Sequence, residues 1–232
     1  MILQNQTALV TGCSGDLGRA ICRQLASDGA QVIGLSRRDP QLDGITWYPC
    51  DLASHEEIID TFAQLNANID ILVNNAAINR PSLAASANPA DWNDTLNVNL
   101  NAALFCTQQV IRNMMSQKHG VILNISSLAA TKPLPGQAAY AASKAALESL
   151  TRSLAVELAA KNIRVNALAP GFIHSDMLDL LPAEKQQALL KKIPLARFAA
   201  PEEIAISAAF LVSKKSAYIT GQTFHLDGGL SI

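Results

Sequence analysis

Residues 8–18 read Ala8-Leu9-Val10-Thr11-Gly12-Cys13-Ser14-Gly15-Asp16-Leu17-Gly18, and apolar residues then recur at Leu17, Ile21 and Leu25. A short apolar run bounded by glycine reads as a buried strand, and the four-residue recurrence after it reads as one face of a helix. The glycine-rich turn between them leaves backbone N–H groups free beside the positive end of a helix dipole, so a dinucleotide pyrophosphate is its natural occupant. A turn of this kind also occurs simply as a turn, and the loop alone does not decide between the two readings.

Working outward, the same rhythm repeats. Strand-like runs at Val32-Ile33-Gly34-Leu35, Ile71-Leu72-Val73, Val121 to Ile125 and Arg164 to Leu168 alternate with helical stretches at Leu17 to Ala26, Val98 to Met115 and Ala138 to Ala160. Each strand is read as followed by a crossover helix, which predicts an α/β fold: one Rossmann-type, doubly wound parallel sheet with helices on both faces. Ligand is then expected at the C-terminal strand ends. Residues 1–232 are read as a single domain, with a flap over the site at about 172–198, where two prolines flank a charged helical piece from Ala183 to Lys192.

Composition narrows the class. With 232 residues, 49% of them apolar, and a net charge of -1, the chain can bury a large core and offers no basic stripe for nucleic acid. The opening residues lack a signal-peptide pattern and no apolar run reaches bilayer length, so the reading is of a soluble, cytoplasmic protein without membrane contact. Cys13, Cys22, Cys50 and Cys106 are widely spaced, which suggests small core residues rather than a metal site or a disulfide framework.

At the glycine loop the chain resembles the classical short-chain dehydrogenase/reductases, whose loop reads T-G-x-x-x-G-x-G. By that resemblance Gly12, Ser14, Gly15, Asp16, Leu17 and Gly18 meet the cofactor, but Asp16 stands where the family has a glycine. A carboxylate there can turn onto the helix N-terminus as a cap. At the end of the second strand, Ser36-Arg37-Arg38 offers a hydroxyl and two guanidiniums and no acid, which suits the 2′-phosphate of NADP(H) better than the ribose hydroxyl of NAD. The alternative is two solvated surface arginines. Asp51 and Leu52 resemble the adenine-binding site of the family, Asp51 also being a candidate cap for the next helix, and Asn75 and Ala76 fall in a version of its N-N-A-G turn.

Tyr140 and Lys144 are four apart at the start of a helix and project from one face. A free phenol with pKa near 10 mismatches neutral pH by roughly three units, or about 4 kcal/mol, and a neighbouring ammonium would narrow that gap. The spacing is common by chance and also fits a surface pair. Ser127, thirteen residues before Tyr140, and Asn99 complete the family's tetrad in order and spacing. The resemblance implies that Ser127 bonds the substrate carbonyl, Tyr140 donates the proton, Lys144 holds the nicotinamide ribose while lowering the tyrosine pKa, and Asn99 anchors a water. Ser126 points to the other strand face. Pro170, Gly171, Ile173 and Ser175 match the family's nicotinamide segment, and His174 reads as solvated.

The segment Ile219 to Gly229 resembles the ending of the 3-oxoacyl-[acyl-carrier-protein] reductases, and Lys118 and Lys161 match the basic residues that meet the acidic carrier there. Each lysine equally suits a helix end, where it complements the dipole. The implied activity is NADPH-dependent reduction of a carrier-bound 3-oxoacyl thioester. Two alternatives stay open: a relative acting on a free alcohol or ketone, and a non-catalytic nucleotide-binding regulator. The family's habit of association, together with the apolar Leu230 and Ile232, predicts a homotetramer.

Overall fold

The computed structural model describes residues 1–174, 178 and 182–232. Seven strands, β1 (Thr7–Thr11), β2 (Gln31–Ser36), β3 (Ile45–Pro49), β4 (Ile71–Asn74), β5 (Gly120–Ile125), β6 (Ile163–Pro170) and β7 (Thr223–Leu226), form one sheet in the order β3-β2-β1-β4-β5-β6-β7. Every neighbouring pair is parallel. The helices with both ends among the described residues are α1 (Asp16–Ser27), α2 (His55–Gln64), α3 (Pro89–Leu96), α4 (Ala102–Gln117), α5 (Ala138–Leu158), α6 (Ala183–Leu190) and α7 (Pro201–Val212).

The two-residue period of a strand sorts the apolar residues between two layers. Ala8, Val10, Val32, Ile71, Val73, Val121 and Leu123 pack with α1 and α7 on one face. Leu9, Ile33, Leu35, Leu72, Ile122 and Val165 pack with α2, α4 and α5 on the other. The inner strand β5 is buried along its whole length, which explains why its sequence is largely apolar instead of an alternation.

Two strands escape the sequence reading. β7 has only four residues, and β3 (Ile45-Thr46-Trp47-Tyr48-Pro49) is a half-exposed edge strand whose mixed pattern carries no buried-strand signal. The expectation that a helix follows every strand fails between β2 and β3. Ile45 pairs with Val32, so the chain must climb back only about four residues of strand, and the eight-residue connection 37–44 spans that without a helix. The helix expected from Val98 is also part of a longer unit, since α3 and α4 are joined by a π-helical turn at Asn97–Asn101. No helix among the described residues is long and apolar enough to cross a membrane.

Candidate active site

The strand order reverses between β1 and β4, where adjacent crossovers leave opposite faces of the sheet and open a crevice at the C-terminal ends. A cleft of about 650 Å³ occupies that edge. It brings together Gly12, Ser14, Gly15, Asp16, Leu17, Gly18, Ser36, Arg37, Arg38, Asp51, Leu52, Asn75, Ala76, Ser127, Tyr140, Lys144, Pro170, Gly171 and Ile173. Ser175 lies outside the described residues. His174 is exposed at the rim, edge-on to Phe198 with ring centroids 5.5 Å apart.

The glycine loop is shaped by packing. Gly12 has φ +67°, and a Cβ there would lie 2.8 Å from the Ala76 Cα; a Cβ on Gly18 would lie 2.2 Å from the Gly12 carbonyl oxygen. Asn75 locks this approach by donating from Nδ2 to the Thr11 and Gly12 carbonyls, while Thr11 Oγ1 accepts the Asn75 and Ala76 amides. The N-cap of α1 is Gly15, with no side chain capping the helix. Asp16 is thus the first helical residue and not the cap expected from sequence. The amides of the first turn face the cleft with no side chain on them, a cradle that fits a pyrophosphate.

Asp51 is likewise not the cap of α2; Ser54 is, accepting Glu57 N at 3.1 Å. Asp51 instead accepts Ala53 N at 3.0 Å in a local turn, and Glu57 reaches the Asp51 amide at 2.8 Å. The Ser36 hydroxyl, read from sequence as a phosphate ligand, is buried and donates to the Arg38 carbonyl. Arg37 and Arg38 remain exposed at the adenosine end.

At the far end, β5 runs out through Ser126 and Ser127 beneath the start of α5. Ser126 is buried and donates to Glu148 Oε1 at 2.7 Å, which commits its hydroxyl hydrogen to the protein. Ser127 and Tyr140 both line the cleft here, and Ser127 Oγ accepts Ala129 N at 3.1 Å. Lys144 is 1% exposed and donates from Nζ to the Ile125 carbonyl at 2.7 Å; burial depresses its pKa to about 8. Burial pushes the Tyr140 phenol up, opposed by the neighbouring Ser127 hydroxyl. Lys144 stands close to that phenol. Its ammonium is turned onto a backbone carbonyl, 5.7 Å from the phenol ring centroid.

Asn99 lies in the π-helical turn, 1% exposed, behind the cleft wall. Its Oδ1 accepts Ile78 N at 2.8 Å, and Nδ2 donates to Ile78 O at 2.9 Å and Ser143 Oγ at 3.0 Å. With both amide hydrogens held by protein groups, the side chain is a clamp between the 75–78 turn and α5 before it is an anchor for water. Ser143 closes the clamp by donating to the Tyr140 carbonyl at 2.7 Å. Sequence reasoning missed Ser143, Thr11 and the bracing role of Asn75, since a serine or threonine that bonds backbone carries no chemical signature in sequence.

Lys118 and Lys161 are not beside this cleft. Lys118, at φ 53°, ends α4 just before β5, and Lys161 ends the turn just before β6. They neighbour each other through Asn162 Nδ2, which donates to the Lys118 carbonyl at 3.1 Å, but they occupy the opposite sheet edge, about 20 Å away along β5.

A family profile described as enoyl-(acyl carrier protein) reductase matches residues 12–231. The 3-oxoacyl-[acyl-carrier-protein] reductase FabG of Rickettsia bellii (strain RML369-C) is 43% identical over 236 residues, 98% of each chain. That of Escherichia coli (strain K12) is 39% identical over 241 residues, 99% of each. Among solved structures, a candidate 2-deoxy-d-gluconate 3-dehydrogenase from Agrobacterium tumefaciens with bound NADP superposes with a TM-score of 0.93 at 36% identity, over 98% of this chain and 97% of the other. With the glycine cradle, the hydroxyl pair and the buried lysine on one edge of one parallel sheet, and relatives matched end to end, this chain belongs to the short-chain dehydrogenase/reductase family.

Proposed function

We propose that the chain is a cytoplasmic NADPH-dependent reductase of 3-oxoacyl thioesters, presented by an acyl carrier protein, in fatty-acid or related biosynthesis. The observation that carries the reading is the Ser127–Tyr140 hydroxyl pair at the cleft end, supported by relatives named for this reaction at about 40% identity over their full length. When bound, the dinucleotide supplies a hydride. Ser127 and Tyr140 then direct two O–H groups at one point, where a carbonyl oxygen gains charge, and the phenol yields its proton. Two adjacent hydroxyl donors match the 3-oxo group of the named relatives; the profile's description, which names enoyl reduction, shares with them only the carrier-bound acyl substrate.

A dehydrogenase of free sugar acids, the class named for the solved neighbours, is the second reading. Charge at the cleft mouth disfavours it. Arg80 is already paired with Asp91 and, at 2.9 Å, with Asp94, so a substrate carboxylate would find that guanidinium already neutralised. A neutral thioester needs no such partner. The assembled tetrad likewise weighs against a non-catalytic regulator.

The test is NADPH oxidation with a 3-oxoacyl chain on its carrier against the same chain on a short thioester mimic. A carrier substrate is expected to be at least tenfold better in kcat/KM, and Lys118→Glu to erase most of that advantage without touching the mimic. Equal rates in both would remove the carrier from the proposal. Lys118 and Lys161 lie together away from the cleft, so Lys118→Glu tests a carrier contact apart from the chemistry. For the proposed homotetramer, Val156 on α5 (81% exposed) and Ile232 (98% exposed) offer apolar surface.

Asp16 has a separate expected effect. Its carboxylate favours the positive end of α1 but repels a pyrophosphate held by the same amides, a repulsion of about 1 kcal/mol at about 4 Å even at the dielectric constant of bulk water. Asp16→Asn is expected to lower the KM for NADPH about fivefold while leaving kcat alone. An unchanged or raised KM would show that the carboxylate is turned away from the phosphates.

A further inference from the structure

Arg37 and Arg38 are exposed and neither enters an ion pair among the described residues, so the placement of their guanidiniums follows from the backbone that carries them. Ser36 sets that backbone. Its hydroxyl donates to the Arg38 carbonyl at 2.6 Å, closing a tight turn at the exit of β2. A hydroxyl has one hydrogen and two lone pairs. With the hydrogen committed to Arg38, the 3.0 Å contact with Cys13 is donated by the thiol, and the remaining lone pair accepts Nε1 of Trp47 at 3.2 Å. The same indole N–H lies 3.1 Å from the Ser36 carbonyl, where the Cys50 amide also donates at 3.2 Å.

Trp47 is thus the one side chain of the edge strand β3 that reaches both polar atoms of the residue before the arginine pair. It does not line the cleft itself, and its ring packs against the core layer that contains α1. We propose that Trp47 is a positioning residue for cofactor choice: through Ser36, its indole N–H fixes the turn that presents Arg37 and Arg38 to the 2′-phosphate of NADP(H). The inference rests on the NADPH reading above.

Without the indole bond, the turn keeps the Ser36 hydroxyl on Arg38, the Cys13 thiol and the Cys50 amide, and the two arginines sample more orientations. A ligand with a 2′-phosphate loses that preorganisation, whereas one without it never used it. The experiment is a calorimetric titration of 2′,5′-ADP and of 5′-AMP into the wild type and Trp47→Phe, with thermal unfolding of each as a fold control. The wild type is expected to bind 2′,5′-ADP more tightly than 5′-AMP. Trp47→Phe is expected to weaken 2′,5′-ADP about tenfold and 5′-AMP less than twofold. In turnover the same variant raises the KM for NADPH, not that for NADH, with kcat unchanged. If Trp47→Phe does not fold, Ser36→Ala, which removes the hydroxyl at the hub of the turn, is titrated with the same two nucleotides and read the same way. Equal losses for both nucleotides, or none, overturn the proposal. A wild type indifferent to the 2′-phosphate overturns the NADPH reading, and the proposal falls with it.

Discussion

Tyr140→Phe is expected to reduce kcat about a thousandfold while NADPH binds as before. The change removes one oxygen, and with it both the proton donor and the partner of Ser127. General acid catalysis by a placed side chain is worth on the order of 10²–10⁴, and the phenol is the acid placed against the hydroxyl of Ser127. Because burial holds the Tyr140 pKa above the ordinary phenol value, the acid form persists through the neutral range. Reduction by the wild type should therefore vary little between pH 6 and 9, whereas the reverse oxidation, which needs the phenolate, should rise with pH across that range. Stopped-flow turnover with an acetoacetyl thioester, beside a fluorescence titration of NADPH, measures both quantities. A variant within tenfold of the wild type would remove Tyr140 from the chemistry.

Lys144→Met is expected to cost activity and add stability. Lys144 titrates at about 8 in the folded chain, against about 10.4 when exposed, so keeping it charged at pH 7 costs on the order of 3 kcal/mol. Its charged hydrogen bond to Ile125 returns about 1.5 of that. Replacement by an apolar chain of similar length should raise Tm by about 3–5 °C at pH 7, while kcat/KM falls by about two orders of magnitude. The pH dependence has a definite sign. The folded state binds fewer protons than the unfolded state between about pH 8 and 10.5, so wild-type stability rises with pH through that window. The penalty is complete below about 8 and gone above about 10.5. The advantage of the methionine variant should shrink accordingly as pH rises. A variant less stable than the wild type at pH 7 would mean that the ammonium bond outweighs its desolvation.

Much of this was legible in the chain itself, and for identifiable reasons. Strands buried on both faces wrote themselves as apolar runs, and β1, β2, β4, β5 and β6 were found that way. β3 was not, because an edge strand half in water needs no such run. That Ser127, Tyr140 and Lys144 meet at one cleft was legible because the resemblance fixes those residue types at set spacings. The wiring between the tetrad's members was not: Asn99 reaches Tyr140 through Ser143, and the glycine loop is held by Thr11 and Asn75, through bonds to backbone that many sequences could make. Asp16 and Asp51, each open to a reading as a cap, are not caps: Gly15 holds the N-cap of α1 with no side chain on it, and Ser54 caps α2. The lysine positions were read correctly as helix ends, but a linear sequence does not say which edge of the sheet those ends occupy.

The π-helical turn at Asn97–Asn101 makes this stretch a register gear. One residue more than a regular helix would hold lets α3 and α4 run on as a single rod while their faces are offset. Deleting any one residue there would restore an ordinary helix and rotate everything on one side of the cut by about 100° relative to the other. Asn99 would swing off Ile78 and Ser143, although every amino acid of the tetrad would still be present. In this segment length matters as much as chemistry: a substitution changes one side chain, whereas a single-codon indel would disassemble the site in one step.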